Sequence, residues 1–394
     1  MLSARLAIRG VFFLHSLAFA GFLVRLPEVK AELGLTDADM GLCLLGAPVG
    51  MLVMLPFVGG IVTRFGSALV TRIGLVAFAA SLILLTLAEG RSSLTLALAV
   101  VGAIAALVDV AMNASAHHVE EQGGGALMSS CHGSWSLGAT AGALGGSLII
   151  RFGLSWQEHQ WISLVAVILC SLPLGGLLPK RADEKRHAEA AEEKQPVFAL
   201  PRRGLIGLAF MVLFGMVLEG AVADWGAIFL RDELLALPAY AAWGLASFGI
   251  WMAATRFAGD YLAGRFSAPF TIRASGIIAG MGFATVLLTD SPVVALIGFA
   301  LVGAGVAVVV PTGFRSAAQR PFGTPAANIA AVASISYIGF LVGPPLVGFI
   351  SHYVGLRGAL WVMFVFACVL FLLGGQARSM RRSEAGDALQ PAAE

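Results

Sequence analysis

Leu218-Glu219-Gly220-Ala221-Val222-Ala223-Asp224-Trp225 sets two carboxylates inside an apolar stretch that runs from about Gly204 to Leu230. The hydrocarbon core of a bilayer is about 30 Å thick, and about 20 apolar residues rising 1.5 Å each cross it as a helix. This stretch is long enough. A carboxylate at that depth is costly and is kept for pairing, for a water-filled path or for proton transfer. The rest of the chain repeats this kind of segment.

Composition agrees. Of 394 residues, 58% are hydrophobic and only 12% charged. A soluble domain carries about 25% charged residues, so this chain could not cover a water-facing surface. An integral helical membrane protein is the reading that remains. Cys43, Cys131, Cys170 and Cys368 all fall in apolar segments without Cys-x-x-Cys spacing. They are expected as buried spectator thiols, not a disulfide framework or a zinc site. The N-terminal run lacks a small-residue cleavage site and reads as a first span.

Twelve apolar segments follow one another: 6–26, 40–62, 67–88, 92–116, 127–150, 157–178, 204–230, 239–262, 270–289, 292–314, 326–350 and 356–375. The fold class expected is an all-α polytopic protein with twelve transmembrane helices in two six-helix halves. Residues 1–178 form the N-terminal half, 179–203 a charged cytoplasmic linker, 204–377 the C-terminal half, and 378–394 a polar, disordered tail. Placing the N-terminus in the cytoplasm leaves eighteen Lys and Arg on that side and six on the other, with Arg256 inside a span. This bias puts both termini inside. The halves also echo each other: Arg64-Phe65 follows the second span and Arg265-Phe266 the eighth, the mark of a parallel repeat. Glycine and proline within spans, Pro344-Pro345 above all, suit close packing and bending.

Several polar residues fall inside spans. Asp109 and Asn113 are four apart and share a helix face; Asp109 suits transport or gating, or structural pairing. Glu219 lies near mid-membrane and Asp224 closer to the outer surface. A break at Gly220 would bring these two together. Each carboxylate either carries a proton or takes a counter-charge, and both readings stand. Trp225 fits an interfacial belt or a solute site. Arg25 suits snorkelling or an anionic partner. His15, His132, Trp135 and Trp251 are solute-binding candidates, with packing as the alternative for each. Arg256 and Asp260, four apart with Gly259 between them, are expected to pair, as a conformational latch or as a fixed pair that only sets helix packing.

Gly59-Gly60-Ile-Val-Thr63-Arg64-Phe65-Gly66 and Gly259-Asp260-Tyr-Leu-Ala-Gly-Arg265-Phe266, with twelve spans and a long central linker, resemble the major facilitator superfamily along nearly the whole chain. Thr63 stands where an acidic residue is common, so the latch is expected mainly in the second copy. Asp109-Val-Ala-Met-Asn113, His132-Gly-Ser-Trp135-Ser-Leu-Gly138 and Glu219-Gly-Ala-Val-Ala-Asp224-Trp225 resemble the fucose-permease-like branch and its bacterial inner-membrane members. That resemblance implies a proton–solute symporter with Asp109 in the coupling role.

The expected function is therefore secondary active transport of a small polar, sugar-like solute by alternating access. Asp109, Glu219 and Asp224 would couple protons; His15, Arg25, Asn113, His132, Trp135, Trp225 and Trp251 would bind solute; Arg64, Arg256, Gly259, Asp260 and Arg265 would form the latch. The partners are the solute, protons and the bilayer, with no nucleic acid and no required oligomer. No cofactor or metal is expected beyond a proton gradient, and no enzymatic activity. His117, His118, Glu120 and Glu121 have no metal-ligand spacing and read as a connector. No Gly-x4-Gly-Lys-Ser/Thr motif for ATP is present. Proton-coupled export of drugs or sugars is the alternative, and a non-transporting receptor or scaffold is the alternative of another class.

Overall fold

The computed structural model describes residues 2–123, 127–178, 202–321 and 325–377. The expected linker, apart from Arg202 and Arg203, and the expected tail lie outside the described residues. All regular structure among the described residues is helical. Eight stretches are long and apolar enough to cross a membrane by length and composition, and one of them, 327–377, is two rods folded at Gly355. Three further rods, more polar or glycine-rich, complete twelve.

The first half contains α1 (Leu2–Leu23), the short α2 (Leu26–Glu32), α3 (Asp37–Leu44) continuing as α4 (Gly46–Phe65), α5 (Ser67–Leu85), α6 (Arg91–Gly123), α7 (Met128–Arg151) and α8 (Trp156–Gly175). The second contains α9 (Arg203–Asp232), α10 (Pro238–Phe257) with α11 (Gly259–Arg265), α12 (Ala268–Leu288), α13 (Pro292–Val306) with α14 (Val309–Ala318), and α15 (Pro325–Ser336). It closes with α16 (Ile338–Leu373) and a 3-10 turn, Gly374–Ala377. Gly355 interrupts α16 at φ 74°, ψ 165°, a left-handed backbone that glycine adopts without steric cost. α5 begins at Ser67 and α12 at Ala268, which keeps the 201-residue offset of the sequence repeat.

The helix breaks differ from expectation. The eleventh rod breaks at Tyr337, seven residues before the Pro344-Pro345 pair, which stays inside α16. α9 runs unbroken through Gly220, so Glu219 and Asp224 keep to separate faces. α6 extends past His117 and His118. There Glu120 Oε2 accepts from the backbone N–H of Leu127 and Met128 at 2.9 Å each, so the expected connector is partly helix and its carboxylate caps α7.

Inside each half the rods touch backbone to backbone. A Cβ on Gly50 would lie 1.8 Å from Ala99 O, and one on Gly102 would lie 1.9 Å from Ala47 O, so α4 and α6 interlock through paired glycines. Lipid is as apolar as leucine, so close packing rather than a hydrophobic drive holds such rods together. The large exposed side chains, among them Phe57, Ile73, Leu169 and Trp251, are apolar and form a lipid-facing belt. Cys43 and Cys131 are buried as expected, whereas Cys170 and Cys368 are exposed.

The halves meet along two seams. On one, α7 lies against α10: Gly249 faces Thr140, and Ser147 Oγ donates to Ala239 O at 2.6 Å. On the other, α3 meets α16 only at the end far from the chain termini. A Cβ on Gly41 would meet Pro344 O at 2.8 Å, and one on Gly348 would meet Asp37 O at 2.6 Å. At the same end Lys30 Nζ bonds Asp37 of its own half and Asp232 of the other, both at 2.5 Å. Ser351 Oγ also donates to the Asp37 carboxylate.

Candidate functional site: the cavity between the halves

That asymmetry leaves a cavity of about 1550 Å³ between the halves. It is closed at the far end. It opens toward the end that carries the termini, where exposed Phe266, Ser267 and Phe270 line its mouth. His15, Asp109, His132, Trp135, Glu219, Asp224, Arg256 and Gly259 all line it. Its walls are rich in rings, including Phe12, Phe78, Phe340 and Tyr337.

Two levels can be separated along the helices. His15 lies eight residues before the end of α1, and Asp224 eight residues before the end of α9. At 1.5 Å per residue both sit about 12 Å from the closed end. Asp109 is eighteen residues into α6, Arg256 eighteen into α10, and His132 nineteen before the end of α7. These three therefore sit about 27 Å down, near the mouth. Glu219 lies between the levels.

At the mouth level, Arg256 ties the halves together. Its Nη2 approaches Glu219 Oε2 at 3.4 Å, its Nη1 donates to Ser136 Oγ at 3.0 Å, and its Nε reaches Ala307 O at 3.4 Å. The pairing foreseen for Arg256 was with Asp260, whose side chain lies outside the described ones. The helix also breaks between them at Ala258, so the two are not on one continuous helix. Arg64 and Arg265 sit at exposed helix ends, Arg64 stacking over Phe65 at 5.4 Å.

Asp109 faces the cavity. Asn113 Nδ2 donates to Asp109 O at 2.8 Å and to its Oδ1 at 3.3 Å, so Asn113 supports the carboxylate and does not itself line the wall. Tyr337 of the other half stands within electrostatic reach of Asp109. His132 meets Phe12 edge-on with centroids 5.5 Å apart. At the closed level His15 is buried against Phe78, centroids 4.4 Å apart, and neither ring nitrogen has a hydrogen-bond partner among the described residues. Asp224 likewise has no hydrogen-bond or ion-pair partner among them.

Besides Asn113, three solute candidates fall outside the cavity lining. Trp225 is fully buried within the C-terminal half, because the helix turn that aims Asp224 at the cavity aims its neighbour at the core. Trp251 is 54% exposed on the outer surface, toward lipid. Arg25 neither snorkels nor lines the cavity. It is buried where α1 turns into α2 and donates to His159 Nδ1 (3.1 Å), Glu28 (2.6 Å) and Leu154 O (3.1 Å). The sequence reading missed Ser136, Tyr337 and the Lys30 bridge. Ser136 was in view within the His132–Gly138 motif; Lys30 was counted only as a basic residue on the outer side.

The sequence profile of the Major Facilitator Superfamily matches residues 10–328. The chain belongs to the Major Facilitator Superfamily. An uncharacterized MFS-type transporter of Yersinia pestis is 30% identical over 380 residues, covering 96% of each chain. Membrane protein MosC of Rhizobium meliloti is 29% identical over 362 residues, covering 92% of this chain and 86% of that one. Among solved structures, the nucleoside transporter NupG superposes with a TM-score of 0.74 at 14% identity, over 95% of this chain and 98% of that one. The D-xylose–proton symporter gives 0.76 at 12%, over 97% and 98%. This superfamily member is a multi-pass secondary transporter of the same twelve-helix fold, and it is not an enzyme.

Proposed function

We propose that the protein moves a small polar solute across the bacterial inner membrane by proton-coupled symport and alternating access. Both termini lie in the cytoplasm, so the cavity faces inward. One observation carries the coupling: Asp109, a carboxylate on the cavity wall whose described hydrogen-bond partner, Asn113, is neutral. Such a group can exchange a proton with the open side and feel the solute before the halves rock. Glu219 is less suited, since Arg256 already neutralises it. The Arg256–Ser136 bond instead joins the halves near the mouth and must break or shift as they move. The resemblance to the fucose-permease-like branch supports a polyol or sugar-like solute, and the ring-lined walls suit one face of such a molecule.

The test uses purified protein in liposomes loaded with a pH-sensitive dye. Solute-dependent proton uptake by wild type, lost in Asp109→Asn while solute exchange persists, is the expected result. Solute flux without proton movement would sink the coupling. Solute-driven proton movement in the opposite sense would mean export by antiport, the reading that the aromatic lining also suits.

A further inference from the structure

The closed level of the cavity holds a charge that coupling at Asp109 does not use. Asp224 faces the cavity with no hydrogen-bond or ion-pair partner among the described residues. Gly220 lies one turn away on the same face, and Phe340 covers it: a Cβ there would sit 3.7 Å from the Phe340 ring. Across the cavity at the same depth stands His15, 7% exposed, with both ring nitrogens unpartnered. Lower down, Glu219 is matched by Arg256. Asp224 is therefore the carboxylate at this level left without a counter-charge.

We infer that the transported solute carries a protonated amine, which Asp224 holds beside the Phe340 ring while His15 meets a neutral hydroxyl of the same molecule. This rests on the transport reading above. An anionic solute would be repelled at an ionised Asp224, and a neutral one would leave the carboxylate unpaired unless it takes up a proton. An ammonium gains a charge-assisted hydrogen bond and a ring face together. The neutral imidazole offers one donor and one acceptor, the set a hydroxyl needs.

The experiment measures binding to the full chain in nanodiscs at constant ionic strength. The probes are glucosamine, galactosamine and mannosamine, each against its N-acetyl form, which keeps the ring and removes the charge. Wild type should bind at least one amine about tenfold more tightly than its acetamide. Asp224→Asn should abolish that preference, while Asp224→Glu and Asp109→Asn keep it. Phe340→Leu should narrow the preference for amine over acetamide about threefold, which gives a second reading if the Asn variant does not fold. The inference is overturned if wild type distinguishes no pair, or if Asp224→Asn or Phe340→Leu keeps the full preference. If the amine preference holds but no proton moves in liposomes, the coupling at Asp109 fails and this site stands. The reverse pair of results removes this site alone.

Discussion

Asp109 faces the cavity with a neutral hydrogen-bond partner, and Arg256 bridges the two sides of its wall. Asp109→Asn keeps the shape and the Asn113 neighbour but removes the proton. It should lower solute-coupled proton uptake on the order of a hundredfold, the scale of a lost acid–base group, with solute exchange largely intact. Dye-loaded liposomes read both quantities on one preparation. Arg256→Gln leaves Glu219 without its counter-charge and frees Ser136. The pair is partly open to the cavity, with side chains 24% and 21% exposed, so the cost is about 1–2 kcal/mol rather than that of a fully buried pair. Glu219→Gln added to Arg256→Gln should recover much of the lost melting temperature. If the double variant melts below the single one, the pair is not what holds Arg256.

Between elements, the closed end depends on contact without side chains. Gly41 of α3 and Gly348 of α16 let the two rods approach until a Cβ on either would strike backbone. Gly41→Val should therefore disfavour the closed far end and favour its opening, read as faster labelling of a cysteine placed at the far end of the cavity. Unchanged labelling would mean that α3 and α16 separate as easily in wild type. The Lys30 bridge acts on the same step. Lys30→Met removes a bridge between α2 and α9 that is worth roughly 1 kcal/mol, about a fivefold shift toward the opened far end. The two substitutions touch one closure, so their effects should not add in full.

For the whole molecule, pH acts through groups at different places, and the signs can be kept apart. Burial alone would lower the pKa of Lys30, but hydrogen bonds to Asp232 and Asp37 outweigh it and raise it above the ordinary lysine value of 10.5. A raised folded-state value means that the lysine's contribution is fully present below 10.5 and is lost only as pH rises through the higher value. Between about pH 6 and about pH 9 the charge of Lys30 is therefore constant. The pH dependence of proton coupling in that window should survive Lys30→Met and disappear in Asp109→Asn. If Lys30→Met removes it, the bridge is the pH-sensitive part and coupling lies at the closed end.

The sequence alone determined the twelve rods, because hydropathy and length are local properties that a bilayer reads segment by segment. It also placed Asp109, His15 and Asp224 in spans where a charge or a ring needs a reason. Only the tertiary structure decided which side chains meet. Arg256 reaches Ser136 across 120 residues and Lys30 reaches Asp232 across 202, while the nearer Arg256–Asp260 spacing spans a helix break. Adjacent Asp224 and Trp225 look alike in a hydropathy trace. Yet the rotation of about 100° between neighbours on α9 sends the first into the cavity and the second into the core. Spacing along one helix fixes which residues share a face. What that face looks upon depends on how the rods pack, which here follows from glycines set far apart in the chain.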